Sequence, residues 1–357
     1  MVLSAPDPTV RSGRLPRHSA LGLFTLCLAV TGTLFLLLLV AGMTPAYNIT
    51  AAVFCGLVLW AATISAVSFL VEGSRRAKDR LVTALVCTSF GIALLPLISL
   101  VFTVIANGLA RFDGTFFSES LRNIIGPGGG ALHAIVGTLE ITLTAALISV
   151  PIGLLTAVYL VEYGRGGIAR AITFLVDVMT GIPSIVAGLF AFALFQLLTG
   201  NPGIRFGFGG SVALSVLMVP IVVRSSEEML KLVPDELREA ALALGVPRWL
   251  TIVKVVLPTA LAGIVTGVML AVARVIGETA PLLLIAGYTD SMNYNPFDQR
   301  MMTLPVYVYT QYTQPGTDVQ PYLERAWTAS LTLILIVLAL NLVARVVARR
   351  FAPKLPR

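Results

Sequence analysis

Apolar runs, most of them about 20 residues or longer, recur from one end of the chain to the other, and they restrict its fold more than any other feature. A helix rising 1.5 Å per residue needs about 20 residues to cross a hydrocarbon layer of about 30 Å. Lipid offers no partner to an unpaired backbone group, so such runs become helices. The composition agrees, with 57% hydrophobic and 12% charged residues and a mean hydropathy of +0.89. A soluble domain is charged at about a quarter of its positions. The expectation is an all-α integral membrane protein.

Eight spans are predicted: Leu21 to Ala41, Ala51 to Val71, Leu81 to Ala106, Ala134 to Val161, Ile168 to Leu198, Ser211 to Val223, Thr259 to Ala286 and Ala326 to Ala348. The first is read as a true span, since it lacks a small-residue cleavage site and a second span follows after a short loop. This divides the chain into a basic tail (1–20), three N-terminal helices (21–106), an external loop (107–133) and a core (134–348) ending in a short tail (349–357). Within the core lie a cytoplasmic loop (224–258) and an external loop (287–325).

Lys and Arg set the orientation. One side gathers Arg11, Arg14 and Arg17; Arg75, Arg76, Lys78 and Arg80; and Arg165 and Arg170. It also gathers Arg224, Lys231, Arg238, Arg248 and Lys254, and finally Arg345, Arg349, Arg350, Lys354 and Arg357. The other side holds Arg111, Arg122, Arg205, Arg300 and Arg325. Both termini are therefore expected in the cytoplasm. The formal charge of +7 reports topology, not a nucleic-acid partner.

Several chemistries are not expected. Cys27, Cys55 and Cys87 are too far apart to chelate a metal, and His18 and His133 are isolated. Gly126-Pro127-Gly128-Gly129-Gly130 lacks the Lys-Ser/Thr of a phosphate-cradling P-loop, so ATP hydrolysis, where it drives this chain, belongs to another polypeptide.

Between the sixth and seventh spans runs a polar segment that reads as two short helices, from Pro234 to Leu244 and from Pro247 onward. Pro234 suits a helix start, Asp235 and Glu236 complement the dipole, and Gly245 suits the left-handed residue after the last turn. Leu237, Ala240, Ala241 and Leu244 form one apolar face with a charged rim. Such a helix suits a partner's groove or the lipid headgroup region.

The spacing of Glu239-Ala240-Ala241, Gly245 and Val255-x-Leu257-Pro258 resembles the EAA loop of ATP-binding-cassette (ABC) importer permeases, with Val255 in place of Ile. In that family the loop is the coupling helix seated in a cleft of the ATP-binding subunit. This implies that Glu239, Ala240, Ala241, Gly245, Leu257 and Pro258 couple the chain to an ATPase. A second block, Ala273-Arg274-Val275-Ile276-Gly277-Glu278-Thr279-Ala280-Pro281, is similar to the signature of phosphate-specific permeases of the PstA type. Gly181-Ile182-Pro183-Ser184 and the stretch from Pro151 to Tyr163 are similar to the same subunit. The resemblance implies a six-helix permease core with two extra N-terminal helices. It also implies a second permease subunit of the PstC type, two ATP-binding subunits of the PstB type that hold ATP and Mg, and an external phosphate-binding protein of the PstS type. No cofactor is expected in this chain.

Arg274 lies about 24 Å along a helix starting near Pro258, inside the span. An ionised residue there costs about 2.5–3.5 kcal/mol on insertion scales and faces a pathway or a partner. Glu278, four residues on, is expected on the same face, where the pair either locks two helices or receives an oxyanion. In the second reading Arg274 attracts phosphate while Glu278 accepts a hydrogen bond from its remaining hydroxyl, which sulfate lacks. Thr279 and Ser184 complete the expected pathway. Permeation of sulfate or molybdate, or transport without ATP, are the alternatives. Gly181, Pro183 and Ser184 read as either a pathway break or a packing kink. Gly263 and Gly267 read as a close-approach pair, at a subunit interface. Glu140 and Asp177 are expected near span ends, within reach of water. The segment from Tyr288 to Tyr322 reads as a docking surface or a structural cap.

Overall fold

The computed structural model describes residues 15, 16 and 18–351, with side chains as far as 346. The basic positions Arg11, Arg14, Arg17, Lys354 and Arg357, and the side chains of Arg349 and Arg350, lie outside the described residues. All regular structure among the described residues is helical, and seven helices are long and apolar enough to cross a membrane, or eight with one bent pair. The chain divides into two compact units, Met1–Thr103 and Val104–Arg357.

The first unit contains α1 (Ser19–Val40), α2 (Ile49–Glu72) and most of α3 (Ser74–Gly108). Asn48 starts α2 by accepting the Ala51 N–H at 2.9 Å. Gly56 lets α1 approach, since a Cβ there would stand 2.7 Å from Leu28 Cδ2. The Trp60 indole donates to the Ala20 carbonyl at 3.0 Å. Buried Glu72 accepts from Ser68, from Nε and Nη2 of the Arg80 guanidinium and from the Leu15 N–H, so a charge inside the unit is fully partnered. Cys27, Cys55 and Cys87 are free thiols.

The second unit runs through α4 (Gly114–Ser118), α5 (Leu132–Val158), α6 (Gly167–Thr180), α7 (Ser184–Thr199) and α8 (Gly207–Lys231). It continues with α9 (Asp235–Ala243), α10 (Arg248–Thr251), α11 (Leu257–Val275), α12 (Ala280–Ile285), α13 (Leu304–Thr313) and α14 (Gln320–Phe351). At its centre α8 lies along α5, joined by small residues. Ser211 and Ser215, one turn apart, donate to the carbonyls of Ile141 and Ala145 at 3.1 and 3.4 Å. Gly153 admits Val222, whose Cβ is 2.8 Å from where its own would stand. Between lipid-solvated helices association depends on such contacts, because hydrophobicity gives no preference for protein over lipid.

The predicted helix pair Gly263 and Gly267 faces Met229 and Ser225 of α8, so its close approach lies within this chain and not at a subunit interface. Three predicted spans also need correction. Ser211 to Val223 extends to Gly207–Lys231, so Arg224 and Lys231 are helical and the polar loop begins at Leu232 instead of 224. Ile168 to Leu198 is two helices bent by 109°, because Pro183 removes a backbone donor after Gly181. Thr259 to Ala286 breaks after Val275.

The segment from Tyr288 to Tyr322 is a cap over part of its length. Met301, Met302, Leu304, Val306 and Tyr307 are buried in the main core. Gly137 of α5 lies directly against the Met302 carbonyl, and Thr138 accepts the Leu304 N–H at 2.7 Å. The edge of buried His133 meets the Tyr307 ring, with centroids 5.7 Å apart.

The Gly-rich loop is also structural. Arg325, 1% exposed, donates to the carbonyls of Gly126 and Gly128 at 2.7 and 2.9 Å and to Gln311 at 2.9 Å, with its guanidinium 4.5 Å from the centre of the Tyr322 ring. Arg111 donates to Gly129 at 3.0 Å. Arg325→Met leaves two carbonyls and an amide buried without donors. It should cost about 3 kcal/mol or more, against about 0.6 kcal/mol for Ser211→Ala. Thermal unfolding of the detergent-purified protein checks the order of the two.

Candidate functional site

At one end of α5 and α8 the chain forms an elbow from α9 and α10. Gly245 has φ +78°, and the Val246 and Gly245 N–H groups close onto Ala241 and Leu242 at 3.1 and 2.9 Å, a Schellman turn. Pro247 caps α10. Pro258 has no N–H to give the preceding turn, and a π-helical turn, Ile252–Val256, joins α10 to α11 there, making one rod from Arg248 to Val275.

The predicted apolar face is divided. Ala241 turns into the chain and Leu257 packs beside the cluster of Ala157, Leu230, Val256 and Ala260. Leu237, Ala240 and Leu244 point outward, joined by Leu242 and Trp249, with Leu244 84% and Trp249 60% exposed. Glu239, Gly245 and Pro258 are exposed.

Arg238 fixes this elbow to the spans. Its guanidinium donates to Glu162 at 3.0 Å, to the Val233 and Leu230 carbonyls at 2.6 and 2.9 Å, and to Asp235 at 2.9 Å. Glu162 is buried in a π-helical turn, Tyr159–Tyr163, that ends α5. Arg248 stacks over Tyr163, 5.5 Å from its ring centre. In the sequence Arg238 reads only as one of the cytoplasmic cations, and Glu162 only as part of the stretch from Pro151 to Tyr163. Four acceptors on one guanidinium make Arg238 the residue that sets the elbow's position.

At the other end of α11 the second set of predicted residues collects. Arg274 is in the last turn of α11, where a cation complements the helix dipole. The helix stops at Val275, with the Ile276 and Glu278 N–H groups returning to Val272 and Val275. Glu278 therefore does not continue the helical face of Arg274, and the expected pairing is absent: neither side chain has a hydrogen bond or ion pair among the described residues. Arg274 is exposed, Glu278 and Thr279 half-buried, and a Cβ at Gly277 would meet open space. Thr279 caps α12.

The bend between α6 and α7 meets the same region. A Cβ on Gly188 would stand 2.5 Å from Pro281 Cα, so α7 and α12 touch. Ser184 and Thr279 each lie within about one helical turn of that contact. Each break is thus followed by one of the two helices in contact. Asp177 is ion-paired with Arg224, linking α6 to α8. Glu140 sits in the third turn of α5, further from the span end than expected, and is half-buried with its Oε2 buried and without a hydrogen-bond partner among the described residues.

Residues 149–357 match the family described as the inner membrane component of binding-protein-dependent transport systems. The chain is 49% identical over 273 residues to the phosphate transport system permease protein PstA of Mycobacterium leprae, covering 75% of this chain and 88% of that one. It is 36% identical over 274 residues to PstA of Yersinia pestis, covering 76% and 90%. The chain belongs to this permease family. The inward-facing MetNI methionine ABC transporter shares its fold, at a TM-score of 0.52 and 21% identity over 62% of this chain and 96% of that one. A bacterial ABC transporter that imports alginate does so at a TM-score of 0.52 and 15% identity over 76% and 96%. The permease is a transporter component, not an enzyme, and a multi-pass membrane protein.

Two outcomes follow from this geometry. Glu162→Gln should leave the permease's membrane abundance close to parental while lowering substrate uptake several-fold, because Arg238 keeps its carbonyl acceptors but loses the charged anchor on α5; immunoblotting beside uptake separates the effects. Arg274→Cys, with the three native cysteines replaced by Ser, should react with a membrane-impermeant thiol reagent. Complete protection would place residue 274 against lipid.

Proposed function

We propose that this permease is the PstA-type subunit of an ATP-driven importer of inorganic phosphate. The observation that carries the reading is Arg274 at the end of a span, without a partner among the described residues, followed by the helix break that holds Glu278 and Thr279. The similarity to PstA proteins supports phosphate as the substrate.

Arg274 attracts an oxyanion through its fork of donors, and Glu278 accepts a hydrogen bond from the hydroxyl that phosphate retains near neutral pH. Sulfate has no such proton and meets only the carboxylate's repulsion. Thr279 and Ser184 supply hydroxyls within reach of both breaks.

ATP and Mg belong to two ATP-binding subunits of the PstB type, into which the exposed face of Leu237, Ala240, Leu244 and Trp249 fits. A PstC-type permease covers the face that leaves Arg274 exposed, and a PstS-type protein delivers phosphate from outside. The elbow is cytoplasmic, in keeping with Arg170, Arg224, Lys231, Arg248 and Lys254 near that end. Both termini are then cytoplasmic. The three N-terminal helices form a part distinct from the transport core.

Radiolabelled uptake by phosphate-starved cells tests this reading. Loss of the chain, or Arg274→Ala at equal membrane abundance, should reduce phosphate uptake by about tenfold or more with sulfate uptake unchanged. Glu278→Gln should narrow the preference for phosphate over sulfate by about tenfold. A fall in sulfate uptake instead would assign another oxyanion.

A further inference from the structure

Beyond α12, at the end of the unit remote from the elbow, three segments are joined by their backbones. The Phe206 N–H donates to Ile285 at 2.9 Å, the Phe208 N–H to Pro296 at 2.6 Å and the Met301 N–H to Ala286 at 3.1 Å. Asn293 organises the loop between them, donating to the carbonyls of Asp298 and Arg300 at 2.8 and 3.1 Å and accepting the Asn295 N–H at 2.8 Å. The rim is thus built before any ligand arrives.

Two arginines converge on it. Gly287 has φ +80°, and the point where its Cβ would stand is 3.1 Å from Arg205 Cδ and 3.2 Å from Arg300 Cγ. Both side chains therefore cross the same glycine, at which a larger residue would displace them. Arg205 spends one donor on the Leu284 carbonyl at 3.2 Å, and Arg300 donates to nothing among the described residues. Neither has a carboxylate within ion-pair distance there. Both line a cavity of about 490 Å³ that also includes Asp298 and Asn293.

Two like charges held together on an ordered rim, with most of their donors free, form an electrostatic arrangement that an oxyanion completes. The lining carries two cations to one carboxylate, so the site is net positive while Asp298 offers an acceptor for a hydrogen bond from the ligand's hydroxyl. We propose that Arg205 and Arg300 form an outer oxyanion site that holds inorganic phosphate about one short helix, α12, away from the Arg274 break. The site rests on the importer reading and adds a second station to it, where the anion pauses before reaching Arg274.

Equilibrium binding of radiolabelled phosphate to the purified transporter in lipid nanodiscs, without ATP or the external binding protein, tests the site. Arg205→Gln with Arg300→Gln should raise the Kd by about tenfold or more, while replacing both by Lys should retain much of the affinity. In an Arg274→Ala background, which removes the inner station, the phosphate binding that remains should still depend on Arg205 and Arg300. Parental affinity in the double Gln variant, or no binding by the parent, overturns the outer site even where cellular uptake still depends on the chain. Uptake independent of the chain, with arginine-dependent binding intact, would remove the importer reading and leave the site standing. If the double Gln variant loses only its association with the binding protein, the arginines dock that protein's carboxylates and the proposal is overturned.

Discussion

Backbone groups in lipid must find partners inside the protein, and the arrangement of the permease core follows from that requirement. Continuous helices meet it by themselves, so α5, α8 and α11 need only surfaces that let them approach. Ser211, Ser215 and Gly153 provide this between α5 and α8, and Gly263 and Gly267 between α8 and α11. A helix can end within the membrane region only where other elements cover the freed groups. After the breaks at Gly181–Pro183 and Ile276–Thr279, α7 and α12 pack on each other where Gly188 meets Pro281.

Irregular backbone at either end is held by a different device, a guanidinium donating to carbonyls. Arg238 collects Leu230 and Val233 where α8 gives way to α9, and Arg325 collects Gly126 and Gly128 in the loop before α5. An arginine has five donors in a fixed fork and stays charged, so it orders several loose acceptors at once. Lysine, with a point charge, would not fix the same geometry. The charge distribution that reports topology therefore also contains residues whose work is internal.

Much of this was legible in the sequence because the signals were local. Gly245 after the EAA run and Pro247 before the next helix define the elbow through backbone preferences alone, and its Schellman turn matches them. Apolar length located the spans but not their interruptions. The run from Ile168 to Leu198 stays apolar across a 109° bend, since hydropathy does not register the donor lost at Pro183. The helix end at Val275 was hidden for the same reason, and with it the separation of Arg274 from Glu278. The burial of α13 and the role of Arg238 depend on residues far away in the chain, Gly137, Thr138 and Glu162, which no local pattern contains.

The rod from Arg248 to Val275 explains how the two ends of the permease act on each other. At 1.5 Å per residue it is about 40 Å long, with Trp249 exposed at the elbow and Arg274 exposed in its last turn. A helix bends readily only at a defect, and its one π-helical turn, Ile252–Val256, lies at the elbow end, leaving α11 regular up to Arg274. The elbow is meanwhile tied to α5 and α8 by Arg238. A push on α9 and α10 is therefore carried by three helices together. Of these, α11 runs to the turn that carries Arg274, where neither Arg274 nor Glu278 has a partner among the described residues.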